Sequence, residues 1–228
     1  MKLVEVTLET EEEFTNRDGE KLRGYIGNLF IDDVAFHNHK DSNSFNYGFS
    51  KIQYRVVDKK LTIIGIDEGG DALLEKISTI NKVILDIGKS GSNGRHGRNQ
   101  VPEKREIFFT PKIIEKEYNV TVLEKEHKYR FETPWIALND KNYKRYLQQE
   151  VDLNKQLVAN LLEFFKMCNV WVDKKITVIG DFQECVVTQK DTKLLGFIGE
   201  FFSNADIPSG ISLGKRKSIG FGRIKKII

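Results

Sequence analysis

Ile52-Gln53-Tyr54-Arg55-Val56-Val57, then Asp58-Lys59-Lys60, then Leu61-Thr62-Ile63-Ile64-Gly65-Ile66 is the stretch that decides the fold. Two β-rich runs flank a short polar connection, which predicts a hairpin. Upstream, Leu3-Val4-Glu5-Val6-Thr7-Leu8 predicts a strand, and residues 20–32 a helix that holds Gly24 and Gly27. Residues 33–48 are polar and irregular. Downstream, Asp71 is expected to cap a helix whose Leu73, Leu74, Ile77 and Ile80 share one stripe. Val83-Ile84-Leu85-Asp86-Ile87 follows as a short buried strand. The order βαββαβ is the ferredoxin-like pattern.

A Gly-rich polar stretch, 88–101, separates this module from a second one. Strands are expected near 105–110, 118–123 and 128–132. A helix then starts at Asp152 and carries Leu153, Leu157, Leu161, Phe164, Phe165 and Cys168 on one face. Strands at 175–188 and 193–202 follow, and the chain closes on Gly220-Phe221-Gly222-Arg223-Ile224. Val57–Gly65 is echoed by Val172–Gly180, with seven of nine positions identical. The expected fold is therefore α+β, two tandem ferredoxin-like (RRM-like) domains at 1–100 and 101–228.

Composition narrows the function. The 228 residues carry 36 Lys+Arg against 33 Asp+Glu, a net charge of +3, and 39% are apolar, which excludes intrinsic disorder. No run of apolar residues is long enough to span a bilayer. The opening MKLVEVTLETEEE lacks a leader's apolar region, so a cytoplasmic protein without membrane contact is expected. Two cysteines, Cys168 and Cys185, are too few for a disulfide scaffold or a Cys-based zinc site. Charge is unevenly spread. Residues 207–228 hold Lys215, Arg216, Lys217, Arg223, Lys225 and Lys226 with no acid, and 88–101 holds Lys89, Arg95 and Arg98 with none. Such basic segments fit a polyanion partner.

Three segments carry candidate chemistry. In Phe36-His37-Asn38-His39-Lys40 the two imidazoles point the same way if the chain is extended, and Tyr47 follows. His-x-His also occurs in metallohydrolases, but no third or fourth ligand accompanies it here. Proton transfer is the alternative role, because imidazole titrates near neutral pH. The tail Gly210-Ile211-Ser212-Leu213-Gly214-Lys215-Arg216-Lys217-Ser218-Ile219-Gly220-Phe221-Gly222 combines glycines with three consecutive bases, which suits a phosphate chain. The third segment is 88–101.

Together these residues resemble the CRISPR-associated endoribonucleases that cut precursor CRISPR RNA within its repeats, in the repeat-associated mysterious protein superfamily. The branch associated with type I-B systems is the most similar. The resemblance runs through Arg23–Phe30, Phe36–His39, Tyr47, Ile52–Tyr54 and Gly65–Gly69, then Asn204, Pro208 and the Gly-rich loop into Gly220–Ile224. Two departures stand out: the loop opens Gly210-Ile-Ser-Leu-Gly214 rather than on a tight Gly-x-Gly, and Lys51 precedes Ile52 where an apolar residue is expected.

The resemblance implies two ferredoxin-like domains and metal-independent cleavage by the ribose 2′-OH, leaving a 2′,3′-cyclic phosphate and a 5′-OH. His39, His37 and Tyr47 are the implied catalytic residues, with Lys40 or Lys51 stabilising the developing charge. Lys215, Arg216, Lys217, Arg223, Gly214, Gly220, Gly222, Arg95 and Arg98 are the implied RNA-binding residues. Neither metal nor cofactor is expected. Repeat RNA is the expected partner; the CRISPR interference complex and a second copy of the chain are further candidates. The rival reading is a non-catalytic RNA-binding subunit of the same superfamily.

Overall fold

The computed structural model describes residues 1–36, 39–41, 44–45, 49–86, 104–189 and 192–227; for 39–41, 44 and 45 this is the backbone. The first half contains β1 (Lys2–Glu9), α1 (Asp18–Leu29), β2 (His39–Asp41), β3 (Ser44–Phe45), β4 (Ile52–Val57), β5 (Lys60–Ile66), α2 (Glu68–Ile77) and β6 (Lys82–Asp86). The second contains β7 (Lys104–Phe108), β8 (Thr110–Glu117), β9 (Thr121–Phe131), α3 (Asp140–Leu147), α4 (Leu153–Met167), β10 (Val178–Gln189), β11 (Thr192–Asp206) and β12 (Ile224–Lys226). Among the described residues no helix is long and apolar enough to cross a membrane.

The 52–66 hairpin forms as the sequence predicts. Asp58 and Lys59 both take positive φ, 47° and 62°, the two-residue turn whose twist matches its strands. The four-stranded sheet orders as β4-β5-β1-β8, antiparallel throughout. Both faces of β5 are buried, as are one face of β1 and Leu3 on its other face. Val4, Val6, Leu8, Leu61 and Ile63 pack with Leu22 and Ile26 of α1 and Leu73 and Ile77 of α2. Leu3, Ile64 and Ile66 face the other way, into the core of the second half. A period-two pattern thus feeds two cores from one sheet.

The edge beside β1 departs from expectation. β6 pairs with β7, and β8 takes the place next to β1, from Lys2↔Glu117 to Glu9↔Thr110. The first sheet therefore takes an edge strand from residues that the sequence pattern assigns to the second module. Exposed Lys112, Glu115, Lys116 and Glu117 on β8 suit that edge, where charge discourages further pairing. The helix expected from Asp71 starts earlier, at Glu68. Asp67 precedes it and bonds to β1 instead of capping, its Oδ1 accepting from the Lys2 N–H at 2.8 Å.

The second sheet orders as β10-β11-β9-β12, the ferredoxin-like arrangement with a Gly-rich loop where a second helix would lie. The two strands expected at 118–123 and 128–132 are one, β9; its exposed Glu124-Lys125-Glu126 interrupts the apolar pattern without ending the strand. Helix α4 matches its reading. Asp152 caps it, accepting from the Asn154 and Lys155 N–H groups, and Leu157, Leu161, Phe164 and Phe165 are fully buried. The echo between 57–65 and 172–180 is not structural repetition. The first copy is the β4–β5 turn and strand β5, whereas the second is the connection from α4 into β10.

Candidate functional site

The Gly-rich segment is a pinned loop. Its N–H groups donate out to fixed carbonyls: Gly210 to Ile224 at 2.8 Å, Lys215 to Ile136 at 2.9 Å and Gly222 to Pro134 at 2.8 Å. Gly214 has φ +82°, and a Cβ there would lie 2.5 Å from Trp135 Nε1, so the backbone runs flush against a buried indole. That indole stacks on Phe131, ring centroids 5.3 Å apart, and donates to Asn160 Oδ1 at 3.0 Å.

The first sheet holds the same loop from below. Fully buried Arg55 on β4 donates through Nη1 to the Gly210 carbonyl and through Nη2 to Gln53 Oε1 at 2.9 Å. That Gln53 oxygen also accepts from the Ser212 N–H at 3.1 Å. Burial, and then the nearby positive charge of Arg223, weaken the hold of Arg55 on its proton. Arg223 bridges the halves too, with Nε 3.0 Å from Glu132 and Nη1 donating to the Val56 carbonyl at 3.3 Å.

Of the RNA-binding residues implied by the sequence, Lys215 and Arg216 are exposed on the loop, and Arg216 donates to Gln189. Lys217 is largely covered. Its ammonium meets Glu163 at 2.7 Å and lies 4.7 Å from the centre of the Phe49 ring. Arg223 faces the interior contacts just described. Gly214, Gly220 and Gly222 lie in the pinned loop, and Gly220 O accepts from Thr133 Oγ1 at 2.7 Å. Arg95, Arg98, His37 and Tyr47 lie outside the described residues. His39 opens β2, where it pairs with Phe45 of β3. Lys51 forms an ion pair with Glu68, and that ammonium holds the Glu68 carboxyl below its usual range.

Phe49 and Ser50 follow Tyr47 closely in the sequence and are both buried. Phe49 belongs to the second core, edge-on to Phe164 at 5.5 Å. Ser50 lines a cavity of about 560 Å³ together with the loop residues 214–218, the start of α3 and one face of α4. So the Gly-rich loop shares one groove with Ser50, which stands three residues after Tyr47 in the sequence. Sequence reasoning missed three contributors, Phe49, Asn160 and Glu163. Asn160 carried a legible signal: a polar residue within the apolar stripe of α4.

Comparison with known proteins places this architecture. A family model described as the Cas6b N-terminal domain matches residues 1–101, and one for the Cas6b C-terminal domain matches 121–227. The chain belongs to the Cas6b family. A crystal structure of Cas6b is 30% identical, covers all of both chains and superposes with a TM-score of 0.81. A second, described as the CRISPR RNA processing endoribonuclease Cas6b, is 27% identical over the whole of both chains, with a TM-score of 0.70. An uncharacterized protein of Methanocaldococcus jannaschii is 38% identical over 112 residues, 46% of this chain and 76% of that one. The family anticipated from the motifs is the one found.

Proposed function

We propose that this Cas6b chain is an endoribonuclease that cuts precursor CRISPR RNA within its repeats. The observation that carries this reading is the junction at Phe49 and Ser50. There Phe49, two residues after Tyr47, meets Lys217 of the basic Gly-rich loop, and Ser50 lines the same cavity as that loop. His37, His39 and Tyr47 stand just before this junction in the chain, and imidazoles acting beside a basic Gly-rich loop suit transesterification. The ribose 2′-OH loses its proton to a base and forms the new O–P bond; the P–O5′ bond breaks, and an acid protonates the leaving 5′ oxygen. The products are a 2′,3′-cyclic phosphate and a 5′-OH, with no metal in the step.

His39 and His37 serve as the proton-transfer pair, and Tyr47 donates to the reacting phosphate. Lys40 or Lys51 supplies the charge stabilisation, Lys51 already standing beside Glu68 in an exposed ion pair. Lys215 and Arg216 hold the RNA backbone from the exposed side of the loop, with Arg95 and Arg98 as further contacts. Arg223 acts by fixing the loop to the first sheet.

The test is incubation with repeat RNA, with product ends mapped. Cleavage at one position, unaffected by excess EDTA and abolished by a 2′-deoxy group at the scissile nucleotide, is expected. Activity lost in EDTA and restored by zinc or manganese would overturn the metal-free mechanism. Tight binding without any cutting would make the chain a non-catalytic RNA-binding subunit.

A further inference from the structure

The cavity beside the loop contains a feature that phosphate binding does not explain. Glu163 is a carboxylate, an acceptor only, in the lining of a groove read as a polyanion site. One of its oxygens is neutralised by Lys217, at 2.7 Å. One turn earlier on the same face of α4, Asn160 is nine-tenths buried, with 9% exposed. Its orientation is fixed by chemistry. The Trp135 indole can only donate, so the atom 3.0 Å from Nε1 is the amide oxygen, and the NH2 group is the other atom. That NH2 has no hydrogen-bond partner among the described residues, yet it is not sealed off; Asn160 lines the cavity. A donor that faces the cavity without a protein partner is free to meet a ligand.

Resting on the function proposed above, we infer that this cavity reads one unstacked guanine of the RNA. Its volume, about 560 Å³, falls within the range of small-molecule pockets, and Ile136, Leu138 and Leu194 add apolar contacts to a mainly polar lining. Single-stranded RNA is read by splaying bases out and bonding their edges. Guanine sets an acceptor, O6, beside two N–H donors, N1–H and N2–H. The Asn160 NH2 meets O6, and the Glu163 carboxylate accepts from the N–H pair. Adenine, cytosine and uracil each offer a carboxylate fewer adjacent donors.

The experiment uses the full chain labelled with ¹⁵N. It has two tryptophans, and their indole N–H resonances separate the site from the surface: Trp135 bonds to Asn160, and Trp171 is 89% exposed. Titration with GMP should shift the Trp135 resonance saturably and leave Trp171 still. IMP, which lacks the N2 amine, AMP and CMP should bind about tenfold more weakly or worse. Asn160→Asp keeps an oxygen for Trp135 while removing the donor, and Glu163→Gln keeps the shape while removing the charge. Each should erase the preference for GMP.

Equal responses to all four nucleotides, no response to any, or a preference that survives both variants would overturn the inference. The titration needs no cleavage. A GMP-selective response in a protein that never cuts repeat RNA refutes only the endonuclease reading, and a cutting enzyme without that response refutes only the guanine pocket.

Discussion

Gly214→Ala offers a quantitative test of how the Gly-rich loop is fixed. At φ +82° an alanine adopts a left-handed conformation that costs about 1 kcal/mol. Its Cβ would also lie 2.5 Å from Trp135 Nε1 and 2.7 Å from Cδ1, distances that real Cβ atoms do not reach. The indole cannot swing away, because it is fully buried and stacked on Phe131 at 5.3 Å. Either the loop lifts or the Trp135–Asn160 hydrogen bond breaks, and a buried donor left unpaired costs about 1–3 kcal/mol. The expected destabilisation is about 3 kcal/mol, a melting temperature lower by roughly 6–12 °C for a chain of this size. Gly210→Ala is the matched control. It shares a positive φ, +89°, but its Cβ would meet nothing nearer than Arg55 Nη1 at 3.7 Å. That variant should lose only about 1 kcal/mol, the backbone contribution. Thermal unfolding followed by circular dichroism measures both. If the two variants melt within about 2 °C of each other, packing against Trp135 is not what fixes the loop.

Other expectations follow from the same groove and from the first module. Replacing Lys215 and Arg216 by alanine should flatten the salt dependence of repeat-RNA binding, by about 0.7 in slope for each phosphate no longer neutralised; an unchanged slope would place the RNA elsewhere. Lys217→Ala should in addition lower the melting temperature, because its ammonium is already engaged by Glu163 and Phe49. His39→Ala should slow single-turnover cleavage by about 10²–10⁴ with affinity nearly intact, and the wild-type rate should vary between about pH 5 and 8; wild-type speed in the variant refutes the assignment. Asp18→Asn probes linkage. Burial alone would raise this carboxyl, but Lys21 and two bonds from Thr15 outweigh it and hold it below its usual value. A lowered folded-state value means stability present above the unfolded pKa and lost as pH falls through the folded one. The variant should therefore be about 1 kcal/mol less stable at pH 7, with the gap closing below about pH 4. A gap that persists to pH 2 would contradict this account.

Much of the fold was legible because its signals are local. The 52–66 hairpin rests on a two-residue turn, and α4 on a capping aspartate followed by an apolar stripe. What escaped depends on partners distant in sequence. β8 is mostly exposed and polar, and only pairing with β1 makes it part of the first sheet. Helix α3 has no buried residue, so it leaves no apolar stripe to read. It is held by side chains such as Tyr146, whose hydroxyl donates to Glu184 at 2.7 Å and whose ring meets Phe197. The site was legible in its loop and less so in its walls. The basic run at 215–217 was legible as a cluster of charge, but nothing local separates exposed Lys215 from covered Lys217. That difference is made by Glu163 and Phe49, 54 and 168 residues away.

The pairing of β1 with β8 bears on how separable the two halves are. A fragment ending near residue 101 would keep the β1–β5 pairing but leave the edge of β1 that faces β8 unpaired, an open template for another chain. The same fragment would expose Leu3, Ile64 and Ile66, which pack into the second core, and would withdraw Arg55 from Gly210. Halves joined this way do not exchange freely between relatives. A chimera that recombines the His-x-His half of one protein with the Gly-rich half of another would have to carry residues 110–117 along with the first half, and to match the loop at 210–212 to whatever side chain stands at position 55.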